Sequence, residues 1–592
     1  MKPEKPFHNP PVRLRDGGRR RDTSKKREYE MLICGLKLTH DGGVAVIENG
    51  KLLCSIEMEK LAGNPRFQPL DRLEVVEEVL AGEGVGLSDL DAVAVDGWMA
   101  APGEPAPILR EVTHHGRPLA LEVAPYSEED AASGVALSRY EFAGLPLGDG
   151  VTPYASYHHV TQHLLGAYCT SPFAARGESA LAIVWDGGTV PRLYRVDASP
   201  FQVRSLGPLF PVYGNAFADY CAQWDPFRSP DAARQHQQEI SNAAVPRNLD
   251  VAGKAMAYAA LGRDEPDLYR FFDTQLDRIP LTFDTGIELA EWFRDHRAAV
   301  WPGGSDADFI ASFQGYLGTR LLTAVRKRMA ELAPDVRSPN LCMSGGCALN
   351  IKWNSLIRTS GLFREVWIPP FPNDSGAAIG TAVAEMVCQE GRTALDWGVF
   401  SGPRLLPVTD VQGWTWEPCD AAGLAKVLHE TAEPVVVLNG RAELGPRALG
   451  GRSILAPATD PKMKDRLNDI KSRADYRPVA PICLEHRAPE IFSPGCPDPY
   501  MLFDHAVRPA WHEKIPAVVH LDGTARLQTV TERDNPLLAA VLTEYEQLSG
   551  VPVLCNTSAN DKGHGFFPDV RAAARWGRAD LLWSDGRLYS RQ

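Results

Sequence analysis

Three times along this chain a run of strand-forming apolar residues breaks straight into paired glycines, and no other feature constrains the fold as much. The runs are "MLICGLKLTHDGG" at 31–43, "ALAIVWDGGT" at 180–189 and "SPNLCMSGGCALN" at 338–350. A short continuous apolar run reads as a buried strand. Glycines at its carboxyl end let backbone amides approach a ligand, at the place where α/β sheets bind theirs. Three such junctions predict an α/β chain (α+β overall) built on a duplicated nucleotide-binding fold. Over 31–61, Asp41-Gly42-Gly43 reads as a tight turn, and Asn49-Gly50 reads as the hairpin between a second and a third strand.

Between these anchors the pattern is coarser. Helical periodicity covers 70–85, "LDAVAVDGW" (90–98) reads as a buried strand, and the Pro-rich stretch 101–124 reads as loop. From 395 to 420 a Pro/Gly/Trp segment without helical period reads as a linker, with the main boundary near 405. A helix at 536–548 and the strand "VPVLCNTSAN" (551–560) follow. The expected domains are therefore 31–405 and 406–592. The first thirty residues, basic and without the apolar stretch of a signal peptide, read as a disordered leader, with Met31 as a candidate natural start.

Composition excludes several classes. At 592 residues and 44% hydrophobic content the chain holds ample core. It has no apolar run of about 18 residues, so no membrane span is expected. Eleven cysteines without a Cys-x-x-Cys pair predict reduced thiols and a cytoplasmic setting. A formal net charge of -13 argues against a nucleic-acid partner.

Against that acidic background, "GRAELGPRALGGRSILA" (440–456) sets Arg441, Arg447 and Arg452 among four glycines. From 441 to 477 there are nine Lys or Arg (441, 447, 452, 462, 464, 466, 471, 473, 477) against five acids (443, 460, 465, 469, 475). The bland reading is a solvated face of scattered ion pairs. The sharper one is a defined anion site, because guanidinium forks and backbone amides both suit phosphate oxygens. Lys471, Arg473 and Arg477 extend the set. Asn556, Thr557 and Ser558 end a buried strand, where they either orient a ligand or close an Asx or ST turn.

His159 and His163 stand four apart in "SYHHVTQHLLGAY", so on a helix both rings share one face. They read either as a packed helix face or as two ligands of one metal ion. Asp186 and Asp374 each sit where the chain meets glycines, as turn or cap residues or as functional carboxylates. Two histidines with carboxylates suit Fe(II) or Zn(II), and Mn(II) is compatible.

In order from about residue 33 to 560, the segments "THDGGVAVIENGKL", "HVTQH", "WDGGT", "AGKAMAYA", "SGGCALN", "NDSGAAIGTA", "ELGPRALGGRSILA", "MKDRLNDIK", "YRPVAP", "ARLQTV" and "VPVLCNTSAN" resemble the O-carbamoyltransferases of natural-product and nodulation-factor biosynthesis. The resemblance implies an amino-terminal actin-like (ASKHA, duplicated) domain and a carboxyl-terminal YrdC-like domain. It implies that carbamoyl phosphate and ATP, with Mg2+, give carbamoyladenylate in the second domain. A small-molecule hydroxyl then attacks the carbamoyl carbon in the first domain, and AMP leaves. Arg441, Arg447, Arg452, Lys471, Arg473 and Arg477 would stabilise transferred charge. His159, His163, Asp186 and Asp374 would hold a divalent metal, Fe2+ first, with Zn2+ or Mn2+ as alternatives. Gly345, Gly346 and Asn350 would hold the nucleoside, and His40 would serve as base. A homodimer is compatible.

The chain departs from the family pattern in places. The usual Ser-Ser after the first-strand Asp is Gly42-Gly43, "EMEK" (57–60) ends in lysine, and the dyad reads His158-His159, so His158 competes with His159 for the ligand role. The segment 200–335 matches least. The competing readings are a tRNA threonylcarbamoyl-type transferase, which wants a basic surface, and an actin-like ATP-binding switch, which leaves the arginine block without a role. A hydrogenase-maturation enzyme would carry Cys-x-x-Cys zinc fingers. The acceptor, whether macrolide, ansamycin, aminoglycoside or cephem, is not written in any motif.

Overall fold

Two sheets repeat one plan. The structure is a computed structural model and describes residues 31–592 except 101–106, 131–133, 149, 229–247, 333–338 and 409. The expected leader therefore lies outside the described residues. In the first sheet Leu32–Lys37, Gly43–Glu48 and Lys51–Glu57 form an antiparallel meander. Ala92–Asp96 and Gly150–Tyr157 then continue in parallel from the meander's first strand. The second sheet does the same with Ala180–Val184, Arg192–Ala198 and Phe201–Pro208, followed by Asn340–Ser344 and Val366–Trp367 in parallel. Tyr140–Leu147 adds an antiparallel edge to the first sheet. A meander extended by parallel strands, present twice, is the duplicated arrangement expected of an actin-like domain. The Asn49-Gly50 hairpin forms as read, with φ of 53° and 79°, because that turn needs two left-handed residues and Asn-Gly tolerates both.

One helix from each repeat lies between the sheets, and each packs on the sheet of the other repeat. His159–Cys169 packs on Ala180–Val184 and Asn340–Ser344, while Ala377–Glu390 packs on Leu32–Lys37 and Gly43–Glu48. The helices touch at glycines. A Cβ on Gly380 would stand 2.1 Å from the Gln162 carbonyl oxygen, and one on Gly166 would stand 3.4 Å from the Gly380 Cα. Every residue of His159–Cys169 is buried, so its two histidines have no solvent to satisfy them.

The carboxyl-terminal part forms an eight-stranded sheet in the order Trp414–Pro418, Arg587–Arg591, Leu581–Ser584, Val435–Leu438, Arg452–Pro457, Val553–Ser558, Ala480–Leu484, Gln528–Val530. Ala421–Thr431 and Pro536–Ser549 pack together over one face of it.

Two expectations are corrected. The stretch 101–124 is no loop in its described part: Ile108–His114 and Arg117–Val123 pair as a hairpin around His115 and Gly116, with φ of 49° and 70°. The near-alternation of "ILREVTH" and "RPLALEV" outweighs the flanking prolines. Nor is 395–420 a free linker. The Leu52 and Ser55 amides donate to the Asp396 and Ser401 carbonyls at 2.8 and 2.9 Å, and the Ala442 amide donates to the Pro403 carbonyl at 2.9 Å. The segment thus straps the first sheet to the arginine loop. Among the described residues no helix is long and apolar enough to cross a membrane, and all eleven cysteines are free thiols.

Candidate active sites

One strand end and two helices converge on the first cluster. His159 and His163 project from the buried helix, Asp186 follows the strand Ala180–Val184, and Asp374 precedes the helix Ala377–Glu390. All four are buried, and their ligand atoms lie within 4.8 Å of one another. His159 Nε2 is 3.7 Å from Asp186 Oδ2 and 3.4 Å from Asp374 Oδ1. His163 Nε2 is 3.6 Å from Asp186 Oδ1 and 3.3 Å from Asp374 Oδ1. Neither Nε2 has a hydrogen-bond partner. Atoms that ligate a tetrahedral ion at 2.0–2.2 Å stand about 3.3–3.6 Å apart, so the donor set fits a divalent cation. Asp374 does not cap its helix; its side chain turns into the cluster instead.

A second ring of groups fixes these four, and sequence reasoning did not find it. Asp96 Oδ2 accepts from His159 Nδ1 at 2.8 Å, which leaves Nε2 as the inward-facing atom. The buried Lys37 ammonium donates to Asp96 Oδ2 at 3.0 Å and contacts Asp374 Oδ2 at 2.9 Å. The Tyr126 hydroxyl donates to Asp186 Oδ2 at 2.6 Å, and the Gly346 amide donates to Asp186 Oδ1 at 2.6 Å. Burial would raise the Asp374 carboxyl, but Lys37, His159 and His40 together hold it well below the usual range. Burial and Asp374 likewise push Asp186 up, and His163 and His159 override them, so it too is lowered. Both carboxylates remain anionic. Burial followed by Asp186 raises Tyr126 well above the phenol range, so it stays a donor. His40 bridges outward, with Nε2 3.4 Å from Asp374 Oδ2 and Nδ1 3.1 Å from Asp41 Oδ2.

The second cluster is cationic. Arg447, Arg473, Arg477 and Arg526 are half-buried, and burial lowers each of them. Burial first, then Arg526, Arg477 and Arg66, lower Arg447 well below the guanidinium range. Burial with Arg477 and Arg526 brings Arg473 to about 9, and burial with Arg477 brings Arg526 to about 10. Neither Arg447 Nε nor Arg526 Nε has a partner. Among the described residues these four form no ion pair, although Arg473 Nε donates to Asn468 Oδ1 at 2.6 Å and the neighbouring Arg66 lies 3.8 Å from Glu59. Facing cations of this kind form a site for a polyanion. The loop that carries Arg447 is pinned in advance. Asn556 Nδ2 donates to the Ala448 carbonyl at 3.0 Å and to Gln528 Oε1 at 2.7 Å, and Gln528 Nε2 donates to the Leu449 carbonyl at 3.0 Å.

Comparison with known proteins bears on this pair of clusters. The family model described as "Carbamoyltransferase N-terminus" matches residues 32–135 and 146–383, and "Carbamoyltransferase C-terminus" matches 425–583. The chain belongs to the carbamoyltransferase family. It is an enzyme that transfers a carbamoyl group. Nodulation protein U of Sinorhizobium fredii is 46% identical over 94% of this chain and 99% of its own length. The 3'-hydroxymethylcephem-O-carbamoyltransferase of Streptomyces clavuligerus is 33% identical over 92% and 96%. Among solved structures, the activator of the 2-hydroxyisocaproyl-CoA dehydratase from Clostridium difficile covers 61% of this chain and 98% of its own at 14% identity and a TM-score of 0.28, too faint to carry an assignment.

In this carbamoyltransferase several expected site residues have other work. Arg441 is no part of the cationic cluster: its Nη atoms donate to both oxygens of Glu83 at 2.9 Å and its Nε to the Gly402 carbonyl at 2.8 Å. Arg452 is buried under its own loop, donating to the carbonyls of Asn439 at 3.0 Å and Gly451 at 2.8 Å. Both guanidinium groups are engaged by the protein. Lys471 lies beside the cluster, but its ammonium donates to the Ser558 carbonyl at 2.7 Å and to Asn560 Oδ1 at 2.6 Å. Ser558 Oγ donates to Asn560 Oδ1 at 2.6 Å, so it closes a turn, and Thr557 is buried in the sheet. Asn350 caps the helix Ile351–Arg358, its Oδ1 accepting from the amides of Lys352 and Trp353, so that oxygen is not free for a nucleoside. Gly345, at φ 89°, is required because a Cβ would stand 2.3 Å from the Trp185 carbonyl. His158 is outside the metal cluster, with Nδ1 2.9 Å from the Pro125 carbonyl. Arg66 and Arg526 were missed. Arg526 sits inside "ARLQTV", whereas no spacing links Arg66 to residues nearly 400 positions away.

Proposed function

We propose that this carbamoyltransferase is ATP-dependent and works in two steps at two sites, one in 31–405 and one in a YrdC-like domain over 406–592. The observation that carries the reading is a cluster of four half-buried arginines, Arg447, Arg473, Arg477 and Arg526, that form no ion pair among the described residues, in the same chain as a buried His2Asp2 set. At the arginine cluster, carbamoyl phosphate, ATP and water give carbamoyladenylate, pyrophosphate and phosphate. Arg447, Arg473, Arg477, Arg526 and Arg66 bind the departing phosphates, and fixed cations lower the barrier by stabilising transferred charge.

In the second step a hydroxyl oxygen of a natural-product acceptor attacks the carbamoyl carbon. The bond from that carbon to the AMP oxygen breaks, AMP leaves with the electron pair, and the hydroxyl proton passes to His40 Nε2. His159, His163, Asp186 and Asp374 would hold a divalent cation, which when bound neutralises charge on the AMP phosphate. Asp41 holds His40 Nδ1 and so presents Nε2 inward. An alcohol acceptor is supported by the name of the cephem relative, which specifies a hydroxymethyl group.

The test is to incubate the protein with ATP and carbamoyl phosphate and no acceptor. Pyrophosphate release that requires carbamoyl phosphate, with carbamoyladenylate or AMP as the other product, is the expected outcome. Release of ADP and phosphate without that requirement would overturn it.

A further inference from the structure

Lys37 ends the first strand in a run that is otherwise apolar and wholly buried, "LICGLK". Its side chain is 1% exposed, and its ammonium lies 3.8 Å over the Trp98 ring. A lysine so placed is costly unless paired. It has two partners: Asp96 Oδ2 at 3.0 Å and Asp374 Oδ2 at 2.9 Å. Asp374 is divided by this contact. Oδ2 faces Lys37, with His40 Nε2 at 3.4 Å, and Oδ1 faces His159 and His163 at 3.4 and 3.3 Å. Asp96 is not divided: one oxygen, Oδ2, serves both Lys37 at 3.0 Å and His159 Nδ1 at 2.8 Å, and Oδ1 has no hydrogen-bond partner.

The charges follow from this wiring. With a metal bound, two neutral imidazoles with Asp186 and Asp374 would carry two negative charges, which one divalent cation would balance. Asp96 adds a third, and the Lys37 ammonium balances that one. Asp41, beyond His40, accepts from His40 Nδ1 at 3.1 Å and stands outside this count.

We propose that Lys37 is a positioning residue that sets the charge the metal site accepts: by neutralising Asp96 and holding Asp374 to one inward oxygen, it tunes the cluster to a divalent ion over a trivalent one. This deepens the metal reading given above and rests on it. The interaction of an ion with a neighbouring unit charge scales with the ion's own charge. Removing Lys37 therefore favours a trivalent ion more than a divalent one, and removing Asp96 does the opposite.

Zn2+ and Ga3+ test this well, since both are small closed-shell ions that differ chiefly in charge. The full-length protein is equilibrated with both ions against a chelator, and bound metal is read by elemental analysis. Lys37→Met is expected to raise the Ga3+/Zn2+ binding ratio on the order of tenfold over the unsubstituted protein. Asp96→Asn is expected to lower the ratio, and the double variant K37M/D96N to return it close to its starting value. If Lys37→Met does not fold, Asp96→Asn and the double variant still decide the matter. A ratio unchanged across the folded variants, with both affinities falling together, would make Lys37 a packing residue and overturn the proposal while leaving the metal site standing. Failure of the unsubstituted protein to bind either ion would sink the metal reading and this proposal with it.

Discussion

Lys471 and Arg447 are both cations in the glycine-rich half of the chain, and they differ in what holds their charge. Burial and Arg473 bring Lys471 down to about 7, yet its ammonium is engaged by Ser558 and Asn560. Arg447 faces other arginines and keeps an unpartnered Nε. Arg447→Ala is therefore expected to slow carbamoyl-phosphate-dependent pyrophosphate release by at least about a hundredfold. Transfer from chemically supplied carbamoyladenylate should persist, and loss of both activities would sink the two-site reading. His159→Ala should show the reverse pattern. With one of four donors gone, bound metal and transfer should fall together while pyrophosphate release continues, a result read by elemental analysis alongside the two assays.

At the scale of elements, the candidate metal cluster depends on how closely two helices approach. His159–Cys169 carries two of the four donors, and Ala377–Glu390 begins just after a third, so their separation sets the cluster's dimensions. Glycine at 380 permits that approach, since a Cβ there would meet the Gln162 carbonyl oxygen at 2.1 Å. Gly380→Ala is expected to cost about 1–3 kcal/mol by overpacking, seen as a lower denaturant midpoint. Metal stoichiometry should fall as well, whereas an equally costly change remote from the cluster should leave it intact. The small-residue run "SGAAIGTAVAE" thus reads as helix, but only the facing helix explains why position 380 is glycine.

One contact joins the first sheet to the arginine loop and another joins the end of the helix Glu74–Gly82 to it, and both involve buried or half-buried charge. Glu57 Oε1 accepts from Lys60 Nζ and from the Gly445 amide, each at 2.8 Å, while Lys60 Nζ also donates to the Glu443 and Gly445 carbonyls at 2.7 and 2.6 Å. Burial pushes the Glu57 carboxyl up to about 7, with Lys60 opposing it. Its unfolded value is about 4.3, so the folded state binds this proton more tightly and the group's contribution to stability is lost as pH rises through 7. Glu57→Gln should flatten that slope, so the stability difference between the two proteins should change between about pH 4.5 and 7.5 in denaturant titrations. The second contact is Arg441 on Glu83. Arg441→Ala is expected to lower stability by roughly 1 kcal/mol with pyrophosphate release retained. The exchange of charges, Arg441→Glu with Glu83→Arg, should recover part of the loss.

Local features were legible in the chain itself: the strand-to-glycine junctions, the Asn49-Gly50 turn, the His159–His163 face and the excess of arginine after residue 440. Each depends on neighbours a few positions apart, where backbone geometry dictates what residues can do. The hairpin at 108–123 was misread because nearby prolines masked a weak alternation. Tertiary structure alone decided which charges stand together. It gave Arg441 to Glu83 and Arg452 to its own loop, brought Arg66 and Arg526 to Arg447, and set Lys37, Asp96 and Tyr126 around the metal cluster. Charges act through space and are screened or exposed by burial, and distance along the chain records neither.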